Sequence, residues 1–370
     1  MKRILILSSN ISIFGGTERV TVNLANNLCQ NYDVHIITLF QTSNIPFKLK
    51  NNVKIYNLYI QNKRLREHFI SSFFKIRKYV LEQDIDIVLV IGRTVTIVSL
   101  LFKIFLKVKI IFCEHNTIMS ENYTRKTIKR TCYSKIFQFL INRLSERIIL
   151  LSEKEKENYQ YKNKINNKKM KVIYNFINLD NINTNKTYNW SVQKIITVGR
   201  IDYQKGYEYL IEVAKLVFAK YPVWQWHIYG DGEAEYKSKI IDLIEQNNLQ
   251  NNIILQGNHS NIYDLYQNYS FYVMTSRYEG LPMVLLEAKA KELPIVSFDI
   301  NSGPSDIVRD GVDGFLVKPF DCQNMADKIC ELIENPELRQ KFSDNAHGNI
   351  DKFSKEKIIK QWCDLIDSLS

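Results

Sequence analysis

Short apolar runs rich in Ile and Val alternate along the chain with longer segments in which apolar residues recur every three to four positions. The short runs are continuous, as in strands buried on both faces, and the longer segments have the period of helices that cover such a sheet. The pattern predicts an α/β fold of parallel sheets flanked by helices. In the first half, strands are expected at Arg3–Ser9, Asp33–Leu39, Val53–Leu58, Ile85–Ile91, Lys109–Glu114 and Arg147–Leu151. A second series is expected at Lys194–Gly199, Gln225–Tyr229, Asn252–Gln256, Phe271–Thr275, Pro294–Asp299 and Gly314–Val317. Between them lies an Asn- and Lys-rich stretch, Tyr161–Asn189, read as a last strand of the first series, Lys171–Tyr174, followed by a linker. Two doubly wound domains, 1–180 and 181–352, fit this order better than one long sheet. Residues 353–370 form a closing helix, with Ile358, Ile359, Trp362, Leu365 and Ile366 at helical spacing. Ligands of such sheets bind at the carboxyl ends of the strands, so chemistry is sought in the loops just after them.

Length and composition narrow the classes. A chain of 370 residues with 45% hydrophobic content can build two cores and is not a disordered chain. The net charge of +11 is unevenly placed: residues 1–180 hold 30 basic and 13 acidic side chains, and residues 181–370 hold 20 and 26. A first half at +17 beside a second at −6 argues that the first faces something anionic, such as a membrane surface, phosphates or nucleic acid. Cys29, Cys113, Cys132, Cys322, Cys330 and Cys363 lie far apart with no C-x-x-C spacing and read as reduced thiols of a cytosolic chain. The start, Met1–Asn10, is basic and then apolar for four residues only, a buried strand and not a signal peptide. The longest apolar stretch, Thr94–Phe112, is interrupted by Lys103, Lys107 and Lys109 and is a poor bilayer span.

Several loops carry candidate chemistry. After the first strand, Phe14-Gly15-Gly16-Thr17 opens a helix. Paired glycines allow close backbone approach and the free N–H groups attract phosphate, although a bare turn explains the pair equally well. In the second half, Gly199-Arg200 is followed by Lys205-Gly206, two cations on one strand-to-helix loop that can clamp a diphosphate. Gly230-Asp231-Gly232 repeats the pattern of strand, glycine turn and helix start, with His227 read as a satisfied strand histidine. In Ser276–Ala288, Pro282 suits the first turn of a helix, so Glu279 falls in the loop and Glu287 within the helix. Two carboxylates so placed can accept hydrogen bonds from sugar hydroxyls, while a helical glutamate is as readily a solvated one.

The ordered set Gly15-Gly16, Gly199-Arg200, Lys205-Gly206, Gly230-Asp231-Gly232 and Glu279-x7-Glu287 resembles the retaining, nucleotide-sugar-dependent glycosyltransferases of the GT-B fold, family 4. The resemblance covers most of the chain. It extends to Glu114-His115-Asn116, Ser152, Asn175, Asn301-Ser302-Gly303-Pro304-Ser305-Asp306 and Gly311-Val312-Asp313-Gly314-Phe315. It implies two Rossmann-like domains facing a central cleft, acceptor bound by the first and nucleotide sugar by the second, with the closing helix crossing back to the first. In that scheme Arg200 and Lys205 hold the donor diphosphate beside Gly199 and Gly230, with Gly15 and Gly16 closing from the other domain. Glu287 binds ribose hydroxyls, Glu279 the donor sugar, the N–H groups of Gly280 and Leu281 the phosphate, and His115 stands by the donor sugar and acceptor hydroxyl. The expected catalytic set is His115, Glu279, Arg200 and Lys205.

No metal or other cofactor is expected, the nucleotide sugar being a co-substrate. Asp84-x-Asp86 precedes its strand, at the end opposite the active loops, and Arg200 with Lys205 supplies the charge that Mg²⁺ would bring. Retention requires a carboxylate nucleophile or attack from the leaving-group face, and front-face transfer is the expectation. Three basic and aromatic segments of the first half, Lys63–Lys78, Ile97–Lys109 and Thr124–Arg147, each fit an ordinary packed helix. Taken together they suggest helices resting on an anionic bilayer. The expected acceptor is thus a lipid-linked saccharide of capsule or O-antigen type, the donor a UDP-linked hexose or N-acetylhexosamine, and the location the inner face of the cell membrane. No nucleic-acid motif occurs and no nucleic-acid partner is expected. A nucleotide-sugar epimerase of the same architecture is the rival enzyme, and a non-catalytic membrane-surface binding protein leaves the phosphate loops unexplained.

Overall fold

In the computed structural model the chain divides into two compact units, Met1–Phe176 with Lys355–Ser370, and Ile177–Ser354. The division falls after Phe176, where the composition had suggested 180. The structure describes residues 1–13, 15–40, 45–60, 65–92, 95–96, 98–99, 103, 106–115, 117, 128–163, 167–177, 189, 191–259 and 261–369.

The first unit holds strands β1 (Arg3–Ser8), β2 (Asp33–Phe40), β3 (Lys54–Ile60), β4 (Ile87–Ile91), β5 (Lys109–Cys113), β6 (Arg147–Leu150) and β7 (Met170–Val172). They form one sheet in the order β3-β2-β1-β4-β5-β6-β7, with the parallel pairings Ile4↔Val34 and Ile4↔Ile87 on either side of β1. Every second residue of a strand faces the same way, and β1 shows the result. Ile4 and Ile6 belong to one buried cluster with helix α1 (Gly16–Leu28), while Leu5 and Leu7 belong to another with α2 (Leu65–Glu82) and α3 (Ile128–Leu144). A fourth helix, α4 (Glu153–Asn163), contributes the buried Tyr159 to the second cluster.

The second unit repeats the plan with β8 (Lys194–Val198), β9 (Gln225–Tyr229), β10 (Ile253–Gly257), β11 (Phe271–Met274), β12 (Ile295–Phe298) and β13 (Gly314–Val317). The order is β10-β9-β8-β11-β12-β13. Its helices include α5 (Tyr207–Lys220), α6 (Ala234–Gln246), α7 (Met283–Ala290), α8 (Cys322–Glu334) and α9 (Pro336–Asn345). Pro282 is the N-cap of α7 and not its first residue, one position from the expectation. In both sheets the order reverses beside the first strand of the unit, so the loops after β1 and β4, and after β8 and β11, diverge from neighbouring strand ends.

The closing helix α10 (Lys355–Asp367) belongs to the first unit. Its Ile358, Trp362, Leu365 and Ile366 join the cluster of Leu24, Leu28 and Tyr32. The Tyr32 hydroxyl donates to Asp367 Oδ1 at 3.0 Å, and Lys2 Nζ donates to the Ile366 carbonyl at 2.9 Å. The apolar stripe anticipated from spacing is therefore the buried one. Among the described residues, no helix is long and apolar enough to cross a membrane. Cys29, Cys113, Cys322, Cys330 and Cys363 are free thiols. Replacing Ile358, which is fully buried, with Ala is expected to cost about 2–5 kcal/mol. Hydrogen exchange in peptides from β1 and α1 would report it, and exchange as slow as in the unmodified chain would show that α10 is not part of the cooperative core.

Candidate active site

The site in the second unit is built where the loops after β8 and β11 meet. After β8 the chain makes a single 3-10 turn, Tyr203–Lys205, capped by the Asp202 carboxylate, which accepts from the Lys205 N–H at 3.2 Å. Gly206 then takes a left-handed φ of 67°, and a Cβ there would lie 2.3 Å from the Thr275 carbonyl. Only glycine permits that turn at that distance. Thr275 Oγ1 returns a bond to the Lys205 carbonyl at 3.2 Å, closing the contact between the two loops.

Lys205 and Glu279 are paired across this junction at 2.7 Å. The carboxylate is 7% exposed, and both its oxygens are engaged. Oε1 accepts from Lys205 Nζ and from Ser276 Oγ, each at 2.7 Å, and Oε2 accepts from Gln204 Nε2 at 3.2 Å. The Lys205 stem lies over Gly199, where a Cβ would stand 2.9 Å from Lys205 Cε and push the stem aside. Gly230, after β9, donates its N–H to the Gly257 carbonyl at 2.8 Å and brings the next loop alongside. Arg200 is 61% exposed at its side chain and pairs with Asp202 at 3.2 Å, on the same loop as Lys205.

Glu287, the fifth residue of α7, is buried, which separates it from the solvated glutamate its helical position allowed. Its Oε2 accepts from the Tyr266 hydroxyl at 3.1 Å. Gly280 and Leu281 are buried at the start of α7, and Ser302 Oγ holds the Glu279 carbonyl at 2.5 Å. Two residues beyond Glu287, Lys289 is buried against Asp313 at 2.7 Å, and Arg309 Nε reaches the same carboxylate at 2.6 Å. Burial lowers the Lys289 pKa to about 8 against the pull of Asp313. The Gly311–Phe315 motif is thus a structural clasp on α7. Gln204, Tyr266 and Lys289 were given no part by the sequence reading, and Ser276 and Ser302 stood in motifs it named without a role. Ser276 stands three residues before Glu279 in the same motif, but nothing in their spacing marks the others.

The remaining expected residues lie in the first unit. Gly15 is the N-cap of α1, and the Glu18 carboxylate lies against it: a Cβ at Gly15 would meet Glu18 Oε2 at 2.1 Å. An anion arriving at this helix end has to displace that side chain. His115 follows β5 at its carboxyl end and is partly exposed; Asn116 lies outside the described residues. Desolvation pushes the imidazole pKa down to about 4, so His115 is neutral at neutral pH. Ser152 is a helix cap, its Oγ accepting from the Glu155 N–H at 2.9 Å, and Asn175 is buried.

The Asp84-x-Asp86 pair is engaged by Arg3, through its guanidinium at 3.0 Å to Asp84 and its N–H at 2.8 Å to Asp86, at the amino end of β4. Among the described residues no group of three or more His, Cys, Asp or Glu side chains is arranged to hold a metal ion. His227 is buried between Tyr269 at 3.0 Å and Gln225 at 3.2 Å, the satisfied strand histidine that was expected.

Two parallel-sheet units with cations and carboxylates at the carboxyl ends of the strands form the architecture, and comparison with known proteins assigns it to a class. Residues 14–181 match the family Glycosyltransferase Family 4, and residues 185–348 match Glycosyl transferases group 1. An uncharacterized glycosyltransferase of Haemophilus influenzae is 33% identical over 98% of this chain and 99% of its own length. The amylovoran biosynthesis glycosyltransferase AmsD of Erwinia amylovora is 30% identical over 99% of this chain and 100% of its own. An α-1,4-N-acetyl-D-galactosaminyltransferase of Campylobacter jejuni, whose name specifies a saccharide on PP-undecaprenol, is 27% identical over 95% of both chains. The solved structure of Anabaena HepE in complex with UDP and glucose superposes with a TM-score of 0.84 at 19% identity, covering 100% of both chains. The chain belongs to the family 4-type glycosyltransferases of the GT-B fold.

The histidine makes a pH-dependent expectation. Because the His115 pKa falls from 6.5 to about 4 on folding, the unfolded chain takes up this proton first. The associated stability is fully present above about 6.5 and is lost as pH falls toward 4. An NMR titration of the imidazole should show a midpoint near 4, and His115→Gln should flatten that part of the stability profile. A midpoint near 6.5 would refute the desolvated setting.

Proposed function

We propose that the chain transfers a hexosyl or N-acetylhexosaminyl group from a UDP-linked sugar to a lipid-linked saccharide, with retention at the anomeric carbon, in polysaccharide assembly of capsule or O-antigen type. The reading rests chiefly on the Lys205–Glu279 pair at the junction of two carboxyl-end loops, with Arg200 on the same loop and Glu287 buried in the following helix. Two cations suit a diphosphate, and two carboxylates suit sugar and ribose hydroxyls. The donor class is supported by the UDP and glucose of the HepE complex, the acceptor class by the name of the Campylobacter relative, and the part in a biosynthetic assembly by the name of the Erwinia relative.

In the reaction, the bond between the anomeric carbon and the diphosphate oxygen breaks as charge builds on that oxygen. Lys205 and Arg200 stabilise the charge, which is the role a divalent cation would otherwise fill, so the scheme needs no metal. The acceptor hydroxyl attacks the oxocarbenium-like carbon from the leaving-group face, and its proton passes to the departing phosphate oxygen. His115, being neutral, offers one donor and one acceptor to hydroxyl groups. A charged hydrogen bond is worth about 1.5–3 kcal/mol, so Lys205→Ala should lower turnover by about 10- to 100-fold at saturating donor. A donor screen with UDP-, GDP- and ADP-sugars measures it, and a turnover near that of the unmodified enzyme would sink the assignment.

The same proposal places the first unit on an anionic membrane surface at the inner face of the cell membrane. On α2, Ile70 is 71% exposed and Phe74 60%, and on α3 Ile136 is 58% and Phe139 65% exposed. Ile76 and Val80 of α2 and Ile141 of α3 share one buried cluster, so these two helices cover the same side of the sheet and turn large apolar side chains outward. Lys75, Lys78 and Arg143 are exposed on the same helices. Of the segments expected to touch lipid, 63–64, 97, 100–102, 104–105 and 124–127 lie outside the described residues. Flotation with vesicles containing anionic phosphatidylglycerol at low salt should carry the protein upward, and Phe74→Glu with Phe139→Glu should abolish it, each lost insertion removing about 1.5–3 kcal/mol. Equal flotation with neutral vesicles, or none with either, would count against the anionic surface.

A further inference from the structure

The turn that carries Lys205 is gripped from behind by a side chain to which the transfer scheme gives no part. Arg277 is 7% exposed although it lies in a loop. Its guanidinium is sandwiched between the rings of Tyr203, at 4.0 Å, and Tyr209, at 4.7 Å. Nη1 donates to the Tyr203 carbonyl at 2.6 Å and Nη2 to Glu208 Oε2 at 3.0 Å. The Arg277 backbone N–H donates to the Gln204 carbonyl at 2.7 Å. Glu208 is held in turn by the Tyr236 hydroxyl at 2.7 Å and by Lys239 Nζ at 3.0 Å.

A buried guanidinium is costly unless its donors are met. Here they are met partly by the turn itself: one residue takes up the carbonyls of both Tyr203 and Gln204, the two positions before Lys205. The backbone of the turn therefore cannot rotate, and the point from which the Lys205 side chain departs cannot shift, without breaking a charge-assisted hydrogen bond in a buried setting. We propose that Arg277 is a positioning residue: it fixes the Tyr203–Lys205 turn so that Lys205 is aimed before donor arrives, and it sets donor affinity without touching donor. The inference rests on the reading of Lys205 as a diphosphate ligand. Lysine is a poor substitute because the site uses a planar fork that stacks on two rings and donates in two directions.

The test is calorimetric titration of UDP, GDP and ADP into the full-length wild-type protein and into Arg277→Lys, Lys205→Ala and Arg339→Lys, with donor KM and thermal midpoints measured alongside. Arg339 is the control: it is buried too, and donates to the carbonyls of Leu332 and Ile333, away from both loops. Arg277→Lys should weaken the tightest nucleotide by about tenfold and raise donor KM in parallel. Arg339→Lys should lose a similar margin of thermal stability yet bind as wild type. Should Arg277→Lys fail to fold, Tyr203→Ala, which removes one plate of the sandwich at a side chain 46% exposed, should still weaken binding by about threefold. Wild-type affinity in Arg277→Lys or Tyr203→Ala, with binding lost in Lys205→Ala, would overturn the positioning role alone. Wild-type affinity in Lys205→Ala, or no nucleotide bound by the wild type, would overturn the reading of the loop and the proposal with it.

Discussion

The second unit depends on the contact between two loops that leave neighbouring strands at the point where the sheet order reverses. β8 and β11 pair directly, Ile195 with Phe271, so their carboxyl ends lie side by side while the helices that follow go separate ways. Gly206 lets the backbones touch, and the Lys205–Glu279 pair then spans the seam. A cation and a carboxylate from positions remote in sequence are brought within 2.7 Å by that one geometric fact. Gln204 and Ser276 add hydrogen bonds to the Glu279 carboxylate, and Thr275 bonds the Lys205 carbonyl, which confines the charged groups to one arrangement.

Buried charge is used twice around α7. At its start Glu279 is met by Lys205, and in its last turn Lys289 is met by Asp313, with Arg309 on the same carboxylate. Such pairs contribute little net stability, because desolvation offsets most of the Coulomb attraction, but breaking one leaves a charge uncompensated. Glu287 sits between the two clamps, so the helix that carries it is pinned in rotation at both ends. Rigid placement of this kind is what a site needs if its groups are to meet a ligand without reorganising.

The first unit solves a different problem. Its sheet is the longer of the two, and α1 and α10 seal one side with a cluster that includes Leu28 and Trp362. On the other side, α2 and α3 bury one face and leave large apolar side chains such as Phe74 and Phe139 in solvent among cations. The excess of positive charge in residues 1–180 is thus carried on a half whose outer helices combine basic and apolar groups, not on the loops that hold the phosphate-type motifs of the second half.

The strands were legible in the sequence because a strand buried on both faces must be continuously apolar; Gln225–Tyr229 and Gly314–Val317 coincide with expectation, and most others end within a residue or two of it. The order of elements, the two sheets and the closing helix follow from that alternation alone. The loops after β8 and β11 were singled out as well, because glycines and fixed cations after a strand stand out whatever the exact path. What the one-dimensional pattern could not supply was who meets whom. Glu287 looks solvated by its helical position, and only the packing of α7 shows it buried against Tyr266. Asp313 in its glycine-flanked turn looks like a loop acid, and only the tertiary structure shows it holding Lys289. Nothing along the chain marks Arg277, and only the tertiary structure shows Tyr203 and Tyr209 against it. Hydrophobic periodicity is a local property and so is written along the chain; the partner of a buried charge is decided by which strand ends become neighbours, and that exists only once the sheet has formed.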